Sequence, residues 1–271
     1  MQEIYSLSQI NIYPVKSLGG FSVASAFAGD RGLQYDRRWM ITDENHVFIT
    51  QREIPLMALI GTSLHDDGIY LYRKQQPEER FLIPFEVKEG EKIMSGIWKD
   101  NCESLHFSQE ADEWLSDMMK AKCKLMYMPD SSVRPVEANF LVNNEQVSFA
   151  DGFPYLIIGE SSLQDLNNRL DEKIPMNRFR PNFVFNGGAP YIEDSWNNMQ
   201  IGNVLFRATR PCLRCMITTI DQETATVNKE PLKTLATYRN VGNNIKFGMN
   251  VMAVTHGRIQ TGDTIYMQEA K

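Results

Sequence analysis

Cysteine and histidine are scarce in this chain, with four of each in 271 residues. The cysteines are Cys102, Cys123, Cys212 and Cys215. That is too few for the disulfide framework of a small secreted domain, and a chain of this length buries enough surface to do without one. Cys102 and Cys123 are not a close pair and the histidines are scattered, which leaves little for a four-ligand zinc site. Long apolar runs are missing too. No stretch approaches the ~20 residues a membrane-spanning helix needs. The opening MQEIYSLSQINIYPV lacks the basic start and apolar core of a signal peptide. Repeats and low-complexity segments are absent. Positive charge is in deficit, 28 Lys and Arg against 34 Asp and Glu, for a net charge of −6. This argues against a general nucleic-acid binder but not against a local basic pocket for a small anion. The expectation is a cytoplasmic protein with reduced thiols, bound to neither membrane nor nucleic acid, in one large or two modest domains.

What is present is mostly strand-like. Residues 8–13 alternate before Pro14 and Gly19-Gly20. Residues 38–42 and 47–50 flank Asp43-Glu44-Asn45-His46 as a hairpin would, and a second hairpin is predicted around Asp66-Asp67-Gly68. Ser108 is a candidate cap for a helix whose apolar face holds Trp114, Leu115, Met118 and Met119. A short strand over 124–128 follows, then a breaker, Pro129-Asp130-Ser131-Ser132. A domain boundary is placed near here. The second half predicts a buried strand over 155–158 and a helix capped by Ser161 or Ser162 with Leu163, Leu166 and Leu170 on one face. Further strands are predicted over 182–185, 204–209 and 216–220, with closing strands over 250–256 and 262–266. Short strands at this spacing suggest a barrel or sandwich, so the fold class is mainly β with a few helices (α+β).

Chemistry concentrates in Arg210-Pro211-Cys212-Leu213-Arg214-Cys215. In a reducing compartment a Cys-x-x-Cys points to metal or redox chemistry. A thioredoxin-type motif needs its first cysteine at a helix N-terminus, whereas strand-forming residues follow Cys215. A zinc site lacks partners, and a buried apolar cysteine pair stays open as a structural alternative. Arg210 and Arg214 favour the metal reading: guanidiniums stabilise the thiolate that binds soft metals, and they offer planar donors for phosphate. Other cations sit at turns beside strands: Lys16 (with Ser17), Arg37, Arg38, Arg52, Arg178 and Arg180. Gathered around Cys215 they would form a pocket for an anionic, phosphate-bearing cofactor. Taken singly, each reads as solvated surface.

Three stretches in the first half, Tyr13-Pro14-Val15-Lys16-Ser17, Asp36-Arg37-Arg38-Trp39 and Thr50-Gln51-Arg52-Glu53, are followed by seven more in the second. Those are Phe179-Arg180-Pro181-Asn182, Glu193-Asp194-Ser195-Trp196, Cys212-Leu213-Arg214-Cys215, Thr218-Thr219-Ile220-Asp221, Lys229-Glu230-Pro231-Leu232, Tyr238-Arg239 and Phe247-Gly248. In this order and spacing the chain resembles the MOSC-domain family, in its two-part form with an N-terminal β-barrel domain, as in YcbX-like and amidoxime-reducing-component-like proteins. The resemblance implies an N-terminal β-barrel domain over 1–125 and a MOSC β-barrel domain over 126–271. It implies a molybdenum cofactor (molybdopterin), independent of pyridoxal phosphate, with Cys215 as the metal ligand and catalytic residue. Lys16, Ser17, Arg37, Arg180 and Arg214 correspond to residues near the pterin or its phosphate, with Arg52 and Gly152 as neighbours. Asn250 stands where the amidoxime-reducing proteins carry a tyrosine. The implied activity is reduction of N-hydroxylated compounds (hydroxylaminopurines, hydroxylamines, amidoximes), a detoxification chemistry. The chain has no iron–sulfur cluster of its own, since no cysteine cluster remains to hold one. Electrons would come from a separate ferredoxin- or flavoprotein-type donor. A cofactor carrier or sulfur-transfer protein, without substrate turnover, is the competing implication.

Overall fold

A computed structural model describes residues 4–142 and 144–268. Met1 to Glu3 of the opening segment, and Glu269 to Lys271, lie outside the described residues. The molecule is mostly β, 42% strand and 16% helix, as the sequence predicts.

Seven strands close a barrel: β1 (Tyr5–Ile12), β2 (Tyr155–Gly159), β3 (Phe183–Asn186), β4 (Asn198–Ile201), β5 (Val204–Leu213), β6 (Asn244–Ala253) and β7 (Thr264–Gln268). Around the barrel the order is β2-β3-β1-β7-β4-β5-β6, and the β2–β6 pairing shuts the circle. Only β2 and β3 run parallel, and the chain between them includes the helix α2 (Glu160–Asn167), as a parallel crossover requires. β1 shows how sequence sets this geometry. Its inward residues are Tyr5 and Leu7, then Ile10 and Ile12, a change of phase that an ideal two-residue alternation forbids. A bulge between Leu7 and Gln9 absorbs the extra residue, so both pairs face the core. That core contains Tyr155, Phe183 and Phe206, all nearly inaccessible, each worth on the order of 2–3 kcal/mol in apolar burial. Thus the first strand of the chain is a stave of a barrel built otherwise from its second half.

The intervening residues form a second body. One sheet pairs Trp39–Thr42, Lys124–Tyr127, Asp100–His106 and Lys92–Ile97; another pairs Ile60–His65, Gly68–Arg73 and Gln76–Ile83. The predicted hairpin at Asp66-Asp67 is there, with His65 opposite Gly68. The turn at 43–46 is there as well, although Val47 and Phe48 form only isolated bridges. Helix α1 (Gln109–Met119) starts as expected: the Ser108 hydroxyl accepts the Ala111 N–H at 3.2 Å. Its face buries Leu115 and Met119 against Trp39 and Leu71.

Two local expectations fail. Helix α2 is not capped by Ser161 or Ser162; its cap is Gly159, and Ser162 is buried, donating to the Glu193 carboxylate at 2.8 Å. Leu170 lies beyond that helix. Residues 216–220 do not leave as a strand. Met216–Thr219 is a 3-10 turn, because the Thr218 and Thr219 hydroxyls donate back to the Cys215 and Met216 carbonyls at 3.0 and 2.7 Å. Threonine side chains satisfying local carbonyls favour a turn over the extended chain their branching suggests. Among the described residues no helix is long and apolar enough to cross a membrane.

Candidate active site

The strand that delivers the cysteines is irregular by necessity. Pro211 has no N–H for the ladder, and the β5–β6 register slips on both sides of it, between Ala208 and Pro211 and again before Leu213. Asn250, on the facing strand, fills the gap by donating to the Arg210 carbonyl at 3.2 Å. These bulges turn the chain out of the barrel wall, and Cys215 becomes the cap residue of the 3-10 turn. Cys212 lies within β5, so a thioredoxin arrangement is excluded by the strand around the first cysteine rather than by one after the second.

Cys215 faces a cleft enclosing about 800 Å³ of non-protein space, its open mouth included. The cleft lies between the two bodies. All nine residues expected at the site line it: Lys16, Ser17, Arg37, Arg52, Gly152, Arg180, Arg214, Cys215 and Asn250. Arg210 does not. It forms a bidentate pair with Glu137 at 2.7 and 3.1 Å.

The guanidiniums are assigned differently from their order in the sequence. Arg214, adjacent to Cys215, donates to Cys212 Sγ at 2.8 Å and to the Phe179 carbonyl. The group on Cys215 is Arg52, 163 residues earlier, whose Nη2 stands 3.2 Å from Sγ. Deeper in, Arg37 and Arg180 both stack on Tyr13, at 4.7 and 4.3 Å from its ring centroid. Asp36 neutralises Arg37 at 2.6 Å, and although burial works against the charge, this pairing raises the Arg37 pKa. Among the described residues Arg180 has no such carboxylate partner: burial, with Arg37 close by, pulls it down to about 10. It remains cationic near neutrality.

The backbone is strained at the same place. Ser17, Arg37 and Arg180 have φ of 69°, 50° and 55°. A left-handed residue other than glycine costs on the order of 1–2 kcal/mol, so three in one cleft is a concentrated expense. Strain of this kind persists where the surroundings hold side chains in fixed places, as binding sites do. Gly152 is different: a Cβ there would meet only Glu137 at an ordinary 3.8 Å, so nothing steric demands glycine.

Sequence reasoning missed three residues. Asp151 receives Lys16 Nζ in a short ion pair at the mouth, with the Asp151 side chain 61% exposed. Partial desolvation at the mouth pushes its carboxyl up, but the Lys16 charge and hydrogen bond, with Arg52 and the Trp98 indole, overcome this and hold it well below the usual range. Burial brings Lys16 down to about 8 against the pull of Asp151. Arg134 is buried and donates to the Ser148, Ala150 and Asp151 carbonyls at 2.6–2.9 Å, which fixes the cleft wall. Trp98 donates to Asp151 at 3.2 Å. None of the three sits in a motif. Each is brought in by a turn or loop whose position depends on the whole fold.

The donor set fits an anionic, metal-carrying group. Arg180 Nη2 and Arg214 Nε are buried without a hydrogen-bond partner, and buried donors of that kind call for an acceptor. Among the described residues neither arginine has a carboxylate partner, so positive charge exceeds negative in the cleft. Among the described residues, too, no cluster of three or more His, Cys, Asp or Glu side chains could hold a bare metal ion.

Comparison with known proteins settles the family. Residues 4–122 match the MOSC N-terminal beta barrel domain and residues 144–266 match the MOSC domain. The chain belongs to the MOSC-domain family. It is 32% identical to mouse mitochondrial amidoxime-reducing component 1, over 98% of this chain and 83% of that protein. It is 30% identical to the human protein of the same name, over 98% and 84%. Arabidopsis thaliana molybdenum cofactor sulfurase is 32% identical over 89% of this chain, which corresponds to 32% of the sulfurase. A crystal structure of the Bacillus subtilis YuaD protein overlays 97% of this chain and 94% of that one, at 10% identity and a TM-score of 0.46. In this MOSC protein the β1 stave falls inside the N-terminal domain match, although it pairs with β3 and β7 of the barrel.

Proposed function

We propose that the protein is a molybdenum cofactor-dependent reductase of N-hydroxylated compounds. The observation that carries the reading is Cys215 Sγ, held by Arg52 at the edge of a cleft with two unpartnered buried arginine donors. The likeness to amidoxime-reducing components supports the reaction class.

Arg180, Arg214, Arg37 and Ser17 would hold the pterin and its phosphate, and Cys215 would be the protein's ligand to the metal. When bound, the cofactor supplies the two-electron chemistry that takes oxygen from an N–OH group, leaving an N–H and water. The rest falls to this chain. Arg180 and Arg214 satisfy anionic oxygens with donors already in place, so little reorganisation is needed on binding. Arg52 orients the sulfur through its 3.2 Å contact. The reaction consumes two protons. Lys16 Nζ, brought by burial to about 8, exchanges protons near neutral pH, and the exposed Asp151 carboxylate links it to solvent. Electrons come from a separate ferredoxin- or flavoprotein-type partner.

The test is Cys215→Ser assayed with an artificial electron donor on an amidoxime. Loss of reduction with the fold intact supports the reading. Full activity in the variant overturns the ligand assignment. The likeness to a cofactor sulfurase favours a second reading, a carrier or sulfur-transfer protein. Cofactor-loaded protein that reduces no N-hydroxy compound would support that one instead.

A further inference from the structure

Trp98 occupies a position that its own turn disfavours. Asp100 pairs with Ile97, so Trp98 and Lys99 form a two-residue hairpin turn. The Trp98 φ is 55°. Turns of this kind place glycine, asparagine or aspartate where φ is positive, and a bulky residue there is a true outlier. The fold alone would be better served by glycine. The indole is also 49% exposed, an unusual place for so large an apolar surface.

Its polar and cationic contacts point to the cleft. The Nε1–H donates to Asp151 at 3.2 Å. The Arg52 guanidinium lies 4.8 Å from the ring centroid, and Arg52 in turn touches Cys215 Sγ. Phe48 supports the ring at 4.9 Å, tilted by 56°. Asp151 and Arg52 both line the cleft, so the indole is fixed at the rim, one residue removed from the sulfur. Strain retained at a site of this kind is a sign of use.

We infer that Trp98 is a specificity-determining residue: its exposed indole is a platform on which a planar aromatic group stacks while the N–OH end enters the cleft. The inference rests on the reductase reading for its substrate class. It predicts a preference for aromatic over small aliphatic N-hydroxylated compounds, since an aliphatic group gains no ring stacking.

The experiment compares holoenzyme carrying Trp98→Gly or Trp98→Phe with the wild type. Glycine suits the left-handed turn, and phenylalanine keeps a ring but loses the hydrogen bond to Asp151. The quantity measured is the ratio of kcat/KM for benzamidoxime to kcat/KM for acetamidoxime. Stacking predicts that this ratio falls about fivefold to tenfold in Trp98→Gly and about twofold at most in Trp98→Phe. An unchanged ratio overturns the inference, whether both rates hold or both fall together. The second case would make Trp98 a support for Asp151 and Arg52 only. Binding of both compounds, followed by calorimetry, separates this from the reductase reading. If the wild type reduces neither compound, that reading fails. Weaker binding of benzamidoxime alone in Trp98→Gly would still support the platform. Equal binding in the two proteins, or none in either, would overturn it.

Discussion

Replacing Arg134 with methionine should cost about 4 kcal/mol of stability and loosen one wall of the cleft. The side chain is 3% exposed and donates to Asp100 at 3.0 Å and to three backbone carbonyls, at Ser148, Ala150 and Asp151. Hydrogen bonds to a charged group contribute roughly 1.5–3 kcal/mol each when removed singly. They do not add here, because methionine also relieves the desolvation of a buried guanidinium. Breaking a buried ion pair from one side costs about 3–5 kcal/mol, which sets the scale. The damage should be local as well as global. Phe149, whose carbonyl accepts Lys16 Nζ at 3.0 Å, sits in the segment that Arg134 ties down. Urea unfolding gives the first quantity, and hydrogen exchange over residues 147–152 gives the second. A loss below about 1 kcal/mol, with protection of 147–152 unchanged, would refute the claim that Arg134 holds this wall.

Lys16→Met isolates a pH effect. The folded-state pKa of about 8 lies below the ordinary 10.5, so between those values the unfolded chain carries the extra proton. Stability of the wild type relative to Lys16→Met should therefore rise as pH goes from 8 to 10.5, by on the order of 2–3 kcal/mol. A flat or falling difference curve contradicts the burial of Lys16 as a cation. Arg180→Met and Arg214→Met should each lower cofactor retention after gel filtration, whereas Arg210→Met, paired with Glu137 outside the cleft, should not. Equal losses in all three would show that the effect is net charge alone. Gln51 and Gln222 exchange amide hydrogen bonds at 2.9 and 3.2 Å, buried between the two bodies. Each single change to methionine should destabilise by about 1–2 kcal/mol, and the double variant by less than the sum. Strict additivity in a double-mutant cycle would show that the pair is not coupled.

Much of the site was legible from single stretches of sequence because turns beside strands carry their own marks. Lys16 follows Tyr13-Pro14-Val15, Arg180 precedes Pro181, and both reach the cleft. Pairing across the cleft was not legible. Adjacency assigned Arg210 and Arg214 to the cysteines; Arg214 does meet Cys212, but Arg210 turns to Glu137, and it is Arg52 that reaches Cys215 from the other body. No local rule relates positions 163 residues apart. The 3-10 turn after Cys215 was misread for a different reason. Branched residues favour strands only when their hydroxyls do not compete for nearby carbonyls, and Thr218 and Thr219 do compete. The phase change in β1, by contrast, was written in Leu7 and Ile10 and becomes intelligible once the bulge is seen.

Molybdenum and pterin analysis of freshly purified protein, expressed in a host that makes the cofactor, tests the central claim most directly. The account predicts both in equimolar amounts with the wild-type chain, and molybdenum largely lost from Cys215→Ser. Wild-type protein free of metal and pterin, or a Cys215→Ser variant that retains both in full, would contradict it.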